Sequence, residues 1–173
     1  MEYMVACIIA LQGFFTPGTA VEVWEDRMVD HYTDRLASCM AIAEAADAEN
    51  VSMPLAVAVA WEESKFYTKA KSHAGAVGPL QILPKYHCPE GRLEGCDLVV
   101  QGVRALKKYV LKYSDREKGL LEALCHYNAG NVCGKRSKKY ALRVYRLKWR
   151  IEAALYVFGT ETPCLDHTTR LQD

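Results

Sequence analysis

Seven consecutive apolar residues, Leu55–Trp61, constrain this chain more than any other stretch. Five of the seven are alanine or valine. Ser52 suits a helix N-cap just ahead of them, and Pro54 is tolerated in a first helical turn. A helix that is apolar all round has to be buried on most sides. The remaining elements must therefore be arranged around it. Glu62 and Glu63 follow the run directly. At a helix C-terminus the macrodipole disfavours a second negative charge. Desolvation by the adjacent apolar turn acts in the same direction. Both effects raise a carboxyl pKa, which suits a general acid that must hold a proton near neutral pH. Against this, a helix-terminal glutamate is more often simply solvated. Periodicity does not choose between the two, because Leu55 and Val59 lead on to both at helical spacing.

A chain of 173 residues is bounded to one domain, large enough for a real core. The formal net charge of +1 argues against a general nucleic-acid binder. No Cys-x-x-Cys pair or His/Cys cluster has zinc spacing, so neither a metal site nor a cofactor is expected. Residues 1–20 read as an export signal or an apolar N-terminal segment, with residues 21–173 as the domain. Val5–Leu11 would be the apolar core of a signal, and Gly18-Thr19-Ala20 its small-residue cleavage site. Glu2, with no Lys or Arg beside it, fits a signal poorly, and the alternative is a segment packed on the domain. The run is too short for a stable membrane span. There are seven cysteines, and cleavage after Ala20 would remove Cys7 and leave six. An even set in an exported chain points to disulfides. Spacing suggests Cys88–Cys96 and Cys125–Cys133, and elimination then leaves Cys39–Cys164.

Val21–Asn50 reads as one long helix or two short ones, with Asp26, Arg27, Asp30, Asp34 and Arg35 as its solvated face. Ser52–Ser64 is the next helix. Tyr67–Cys96 is rich in Gly and Pro and is expected to be an irregular loop of the kind that often carries function. Asp97 is expected to cap a helix to about Tyr113, with Val99, Val103, Leu106, Val110 and Leu111 on its core face. Gly102 in its middle costs about 1 kcal/mol against Ala, which close helix packing would explain. Arg116–Asn128 is a further helix, with Gly130 as its C-cap. The basic run Asn131–Lys139 reads as a solvated loop, and Tyr140–Phe158 as the last helix. No segment has strand periodicity, so the fold class is mainly α, with irregular loops.

Glu63-Ser64-Lys65-Phe66 and then Ser72-His73-Ala74-Gly75-Ala76-Val77-Gly78-Pro79-Leu80-Gln81 resemble the first two motifs of the lytic transglycosylases with a goose-lysozyme-like fold. His126-Tyr127-Asn128-Ala129-Gly130 is similar to the third motif, and Tyr140-Ala141-Leu142-Arg143-Val144 to the fourth. The resemblance runs from about Ile42 to Val157. Pro79-Leu80 departs from the family's usual Leu-Met. The resemblance implies a lysozyme-like helical domain with a substrate groove. It also implies cleavage of the β-1,4 bond between N-acetylmuramic acid and N-acetylglucosamine in peptidoglycan, leaving a 1,6-anhydromuramyl end. It selects Glu63 over Glu62 as the acid, later the base. It places Ser64, Gln81, Tyr127 and Asn128 along the groove, and Tyr140 in a hydrogen bond to Glu63. The residues alone give Gln81 an equally good reading as a structural bond within its loop. Peptidoglycan strands would be the partner, with a secretion, conjugation or phage assembly as the wider setting. The location would be periplasmic, cell-wall associated or virion-associated. A hydrolytic lysozyme would instead need a second carboxylate to activate water, for which Glu62, Glu90 and Asp97 are the nearby candidates. A non-catalytic peptidoglycan-binding module is the third reading, and a helical cytosolic adaptor the fourth.

Overall fold

The computed structural model describes residues 1–12 and 26–159. Seven α-helices make up most of these: α1 (Glu2–Leu11), α2 (Asp26–Ala48), α3 (Met53–Ser64), α4 (Pro84–His87), α5 (Leu98–Lys112), α6 (Gly119–Ala129) and α7 (Lys135–Gly159). A short 3-10 turn, Pro89–Gly91, follows α4. No strand occurs among the described residues. Their β pairing is confined to bridges from Val77 to Lys71 and to Ile82.

The apolar run sits where its composition requires. Every residue from Leu55 to Trp61 is buried. Helices α1, α2 and α7 all pack on α3, and α5 and α6 close the other side against α2 and α7. The core that results joins Ile42, Val57, Val59, Leu106, Leu124, Val144 and Ile151. Ser52 stands at the N-cap position of α3, but its hydroxyl makes no capping bond. Asp97 does cap α5, its carboxylate accepting from the amides of Val99 and Val100 at 3.0 Å each.

Several boundaries differ from those expected. Helix α7 begins at Lys135, inside the basic run. Ser137 and then Tyr140, Ala141 and Val144 are buried at helical spacing, so the inward stripe continues back through the charges. Helix α6 begins at Gly119, because the residues before it turn through Arg116 N–H to Tyr113 carbonyl and Gly119 N–H to Arg116 carbonyl. Leu111 lies on the wet side of α5 and is exposed.

The disulfides are Cys7–Cys39, Cys88–Cys96 and Cys125–Cys133. The expected Cys39–Cys164 pair is corrected, because the Cys39 sulfur is taken by Cys7. Elimination presumed that Cys7 leaves with a cleaved leader. In this structure α1 packs on the core through Ala6, Cys7, Ala10 and Leu11, and the Cys7 and Cys39 Cα atoms lie 5.8 Å apart. Cys164 and the Gly18–Ala20 cleavage site lie outside the described residues. Tyr3 adds a bond from its hydroxyl to Asp47 at 2.9 Å. Cys7→Ser is expected to cost about 2–4 kcal/mol, read as a lower denaturation midpoint under non-reducing conditions. An unchanged midpoint would mean that the Cys7–Cys39 bond adds nothing to the stability of the fold. No helix among the described residues is long and apolar enough to cross a membrane.

Candidate active site

Glu63 projects from the last turn of α3 and is half-buried. Burial by the apolar helix pushes its carboxyl up to about 7, the Glu62 charge adds to this, and Tyr140 opposes it. The Tyr140 hydroxyl lies against the carboxyl and favours its charged form, but the geometry falls short of a full hydrogen bond. Tyr140 Oη is buried and has no hydrogen-bond partner among the described residues. Burial and the nearby Glu63 charge push the phenols of both Tyr127 and Tyr140 up. Tyr140 on α7 thus lies beside Glu63, and Tyr127 on α6 lies within electrostatic reach of it.

Glu62, the neighbouring glutamate, points elsewhere. It accepts from Arg143 Nε on α7 at 2.7 Å, in a pair whose arginine is mostly exposed. Helical geometry thus divides two adjacent glutamates: one meets a cation, the other a tyrosine hydroxyl. Periodicity could not make this division, because it depends on what α6 and α7 present.

The chain after Glu63 turns sharply. Lys65 closes α3 in the left-handed region at φ 55°, and Phe66 follows it at φ 64°. Phe66 is fully buried and sits 5.7 Å from the Trp61 ring. The Lys65 ammonium lies 4.3 Å over Trp61, and burial lowers its pKa. The Ser64 hydroxyl donates to the Pro79 carbonyl at 2.8 Å, tying α3 to the Gly-rich loop.

That loop is pinned on both sides of the Pro79–Leu80 dipeptide. Tyr127 donates its hydroxyl to the Leu80 carbonyl at 2.6 Å. Gln81, itself left-handed at φ 49°, donates its amide to the carbonyls of Gly78 at 2.9 Å and Ala70 at 3.3 Å. The polar donors of Ser64, Gln81 and Tyr127 are therefore engaged with the loop backbone and give the wall its shape. Asn128 stands exposed near the end of α6. Pro79, the departure from the family pattern, has no N–H to donate, and the bonds here use its carbonyl.

Some contributors to the site carried little or no sequence signal. Tyr109 packs edge-on against Tyr127 at 5.7 Å. Gly102 lies against Leu80 of the loop: a Cβ there would meet Leu80 Cδ1 at 2.5 Å and Leu80 Cβ at 2.6 Å. Gly102→Ala must displace Leu80 and, through its carbonyl, Tyr127. It is expected to cost about 1–3 kcal/mol by overpacking and to lower turnover as well. Thermal melts and a peptidoglycan-clearing assay on the folded variant check both effects. Among the described residues no group of His, Cys, Asp and Glu is arranged to hold a metal ion.

A family model described as the transglycosylase SLT domain matches residues 40–148. No curated protein and no solved structure matches the chain. The matched segment includes Glu63, Gln81, Tyr127 and Tyr140, and leaves α1 outside it.

Proposed function

The chain belongs to the transglycosylase SLT domain family, enzymes with a lysozyme-like helical fold that act on peptidoglycan, and from that premise we propose that Glu63 serves as acid and then base in cleaving the β-1,4 bond between N-acetylmuramic acid and N-acetylglucosamine. The observation that carries this reading is the Glu63 carboxyl, half-buried at the end of α3 with Tyr140 beside it and held up to about 7. The protonated carboxyl donates to the glycosidic oxygen as the C1–O bond breaks. The C6 hydroxyl of the muramyl residue then attacks C1, and its proton passes to the Glu63 carboxylate. A 1,6-anhydromuramyl end forms, no water is consumed, and the acid is restored.

One carboxyl suffices for this sequence, unlike the two-carboxylate design of most glycosidases. The carboxylates that a hydrolytic lysozyme would need are engaged elsewhere. Glu62 is paired with Arg143, Asp97 caps α5, and Glu90 lies exposed 3.9 Å from Arg92. Tyr140 would orient the Glu63 carboxyl, its free hydroxyl closing to a full bond as substrate arrives. Ser64, Gln81 and Tyr127 would hold the wall, and Asn128, able to donate and accept, would meet the N-acetyl groups. The three disulfides suit an exported protein. We place the enzyme in the periplasm, at the cell wall or on a virion, working alone or beside a secretion, conjugation or phage assembly.

The pH profile tests this reading. The acid form is required, so turnover should fall as pH rises through about 7, tenfold per unit above it. A profile flat from pH about 5 to about 9 would remove a neutral-range carboxylic acid from the mechanism.

A further inference from the structure

Arg35 on α2 reaches across to the end of α3. Its Nη1 donates to the Ser64 carbonyl at 3.0 Å and to the Lys65 carbonyl at 2.5 Å. Its guanidinium carbon lies 4.8 Å from the centroid of the Tyr67 ring. One side chain thus holds three of the four residues that follow Glu63. The backbone there is costly. Lys65 and Phe66 are consecutive non-glycine residues in the left-handed region, and such conformations cost roughly 1–3 kcal/mol each unless their surroundings enforce them. The last carbonyls of a helix also lack partners within it. A planar guanidinium can satisfy two carbonyls at once, and its charge suits the negative end of a helix. The groups that shift the Glu63 carboxyl are its burial, Tyr140 and Glu62. Arg35 makes its contacts with the backbone carbonyls of Ser64 and Lys65 and with the Tyr67 ring.

We infer that Arg35 is a positioning residue for the reaction: by clamping the Ser64 and Lys65 carbonyls it fixes the backbone from which Glu63 projects and the serine that anchors the Pro79 carbonyl. The inference rests on Glu63 being the acid. A misplacement of about 1 Å at a reacting group can cost on the order of 100-fold in rate.

The test uses the full chain and a soluble glycan chain bearing stem peptides, at a temperature where melts show every variant folded. Arg35→Met keeps the stem and removes the fork. Its kcat is expected to fall about 100-fold with KM changed less than about threefold, and the pH midpoint of kcat should stay where wild type has it. Arg35→Lys, able to reach one carbonyl, is expected to recover about tenfold of that loss. A folded Arg35→Met with wild-type kcat would overturn the inference, as would a loss confined to KM or a displaced pH midpoint. If Arg35→Met does not fold, a folded Arg35→Lys with wild-type kcat overturns it equally. Glu63→Gln is measured alongside. If that variant keeps its turnover, the reading of Glu63 fails, and this inference with it. If it loses turnover while Arg35→Met does not, the positioning role alone fails.

Discussion

Glu63→Gln is expected to lower turnover of peptidoglycan by about 10²–10⁴-fold, the usual worth of a positioned acid–base group. The same substitution should make the protein more stable at alkaline pH. The Glu63 carboxyl is raised from 4.5 to about 7 in the folded state. Between those values the folded protein binds a proton that the unfolded chain does not, so stability falls as pH rises through the window. Above it, the folded state carries a buried carboxylate at a cost of roughly 3 kcal/mol. Glutamine keeps the shape and never ionises. Melts of the two proteins should therefore agree near pH about 4 and diverge in favour of glutamine by pH about 8. Loss of activity with no such divergence would mean that the carboxyl is catalytic but not desolvated. Divergence with activity retained would mean a buried acid without a catalytic role. An acid kept protonated against solvation is a site maintained at the expense of the fold.

Phe66→Ala is expected to destabilise the domain by about 3–5 kcal/mol, among the largest effects of any single truncation in the chain. Phe66 is fully buried, and its ring packs with Trp61 beneath the turn that leaves α3. Alanine leaves a cavity there and does nothing for the left-handed backbone at φ 64°. Phe66→Gly separates the two terms: it leaves a larger hole but relaxes the backbone. The glycine variant should therefore be no less stable than the alanine one. Denaturant unfolding measures both. A shift below about 1 kcal/mol for alanine would show that the turn is held from elsewhere, with Arg35 the first alternative.

Much of this architecture was legible in advance because the signals were local. The burial of α3 follows from seven apolar residues in a row, whatever packs on them. Asp97 caps α5 because a short carboxylate at that position reaches the free amides two and three residues on. The rest depends on residues distant in the chain. Arg35 looked like one more charge on the solvated face of α2, but its partners are carbonyls 29 and 30 residues away. A backbone carbonyl leaves no mark on residue type. Gly102 announced a close approach without saying to what, and the neighbour is a loop leucine. The division of labour between Glu62 and Glu63 likewise required Arg143 and Tyr140, both supplied by α7. The disulfides show the same limit. Eight-residue separations bring Cys88 to Cys96 and Cys125 to Cys133, whereas Cys39 meets a cysteine 32 residues earlier, on a helix that spacing alone did not bind to the core. Within the site, Gln81 bonds its own loop, the reading that its residue type allowed as readily as a sugar contact.

The most direct measurement is the mass of the muropeptides that the wild-type protein releases from purified peptidoglycan. One carboxyl acting as acid and then base, with the C6 hydroxyl as nucleophile, predicts 1,6-anhydromuramyl ends, each one water lighter than a hydrolytic product. Reducing ends that take up labelled oxygen from solvent water would contradict it. They would mean that a second carboxylate activates water at this site.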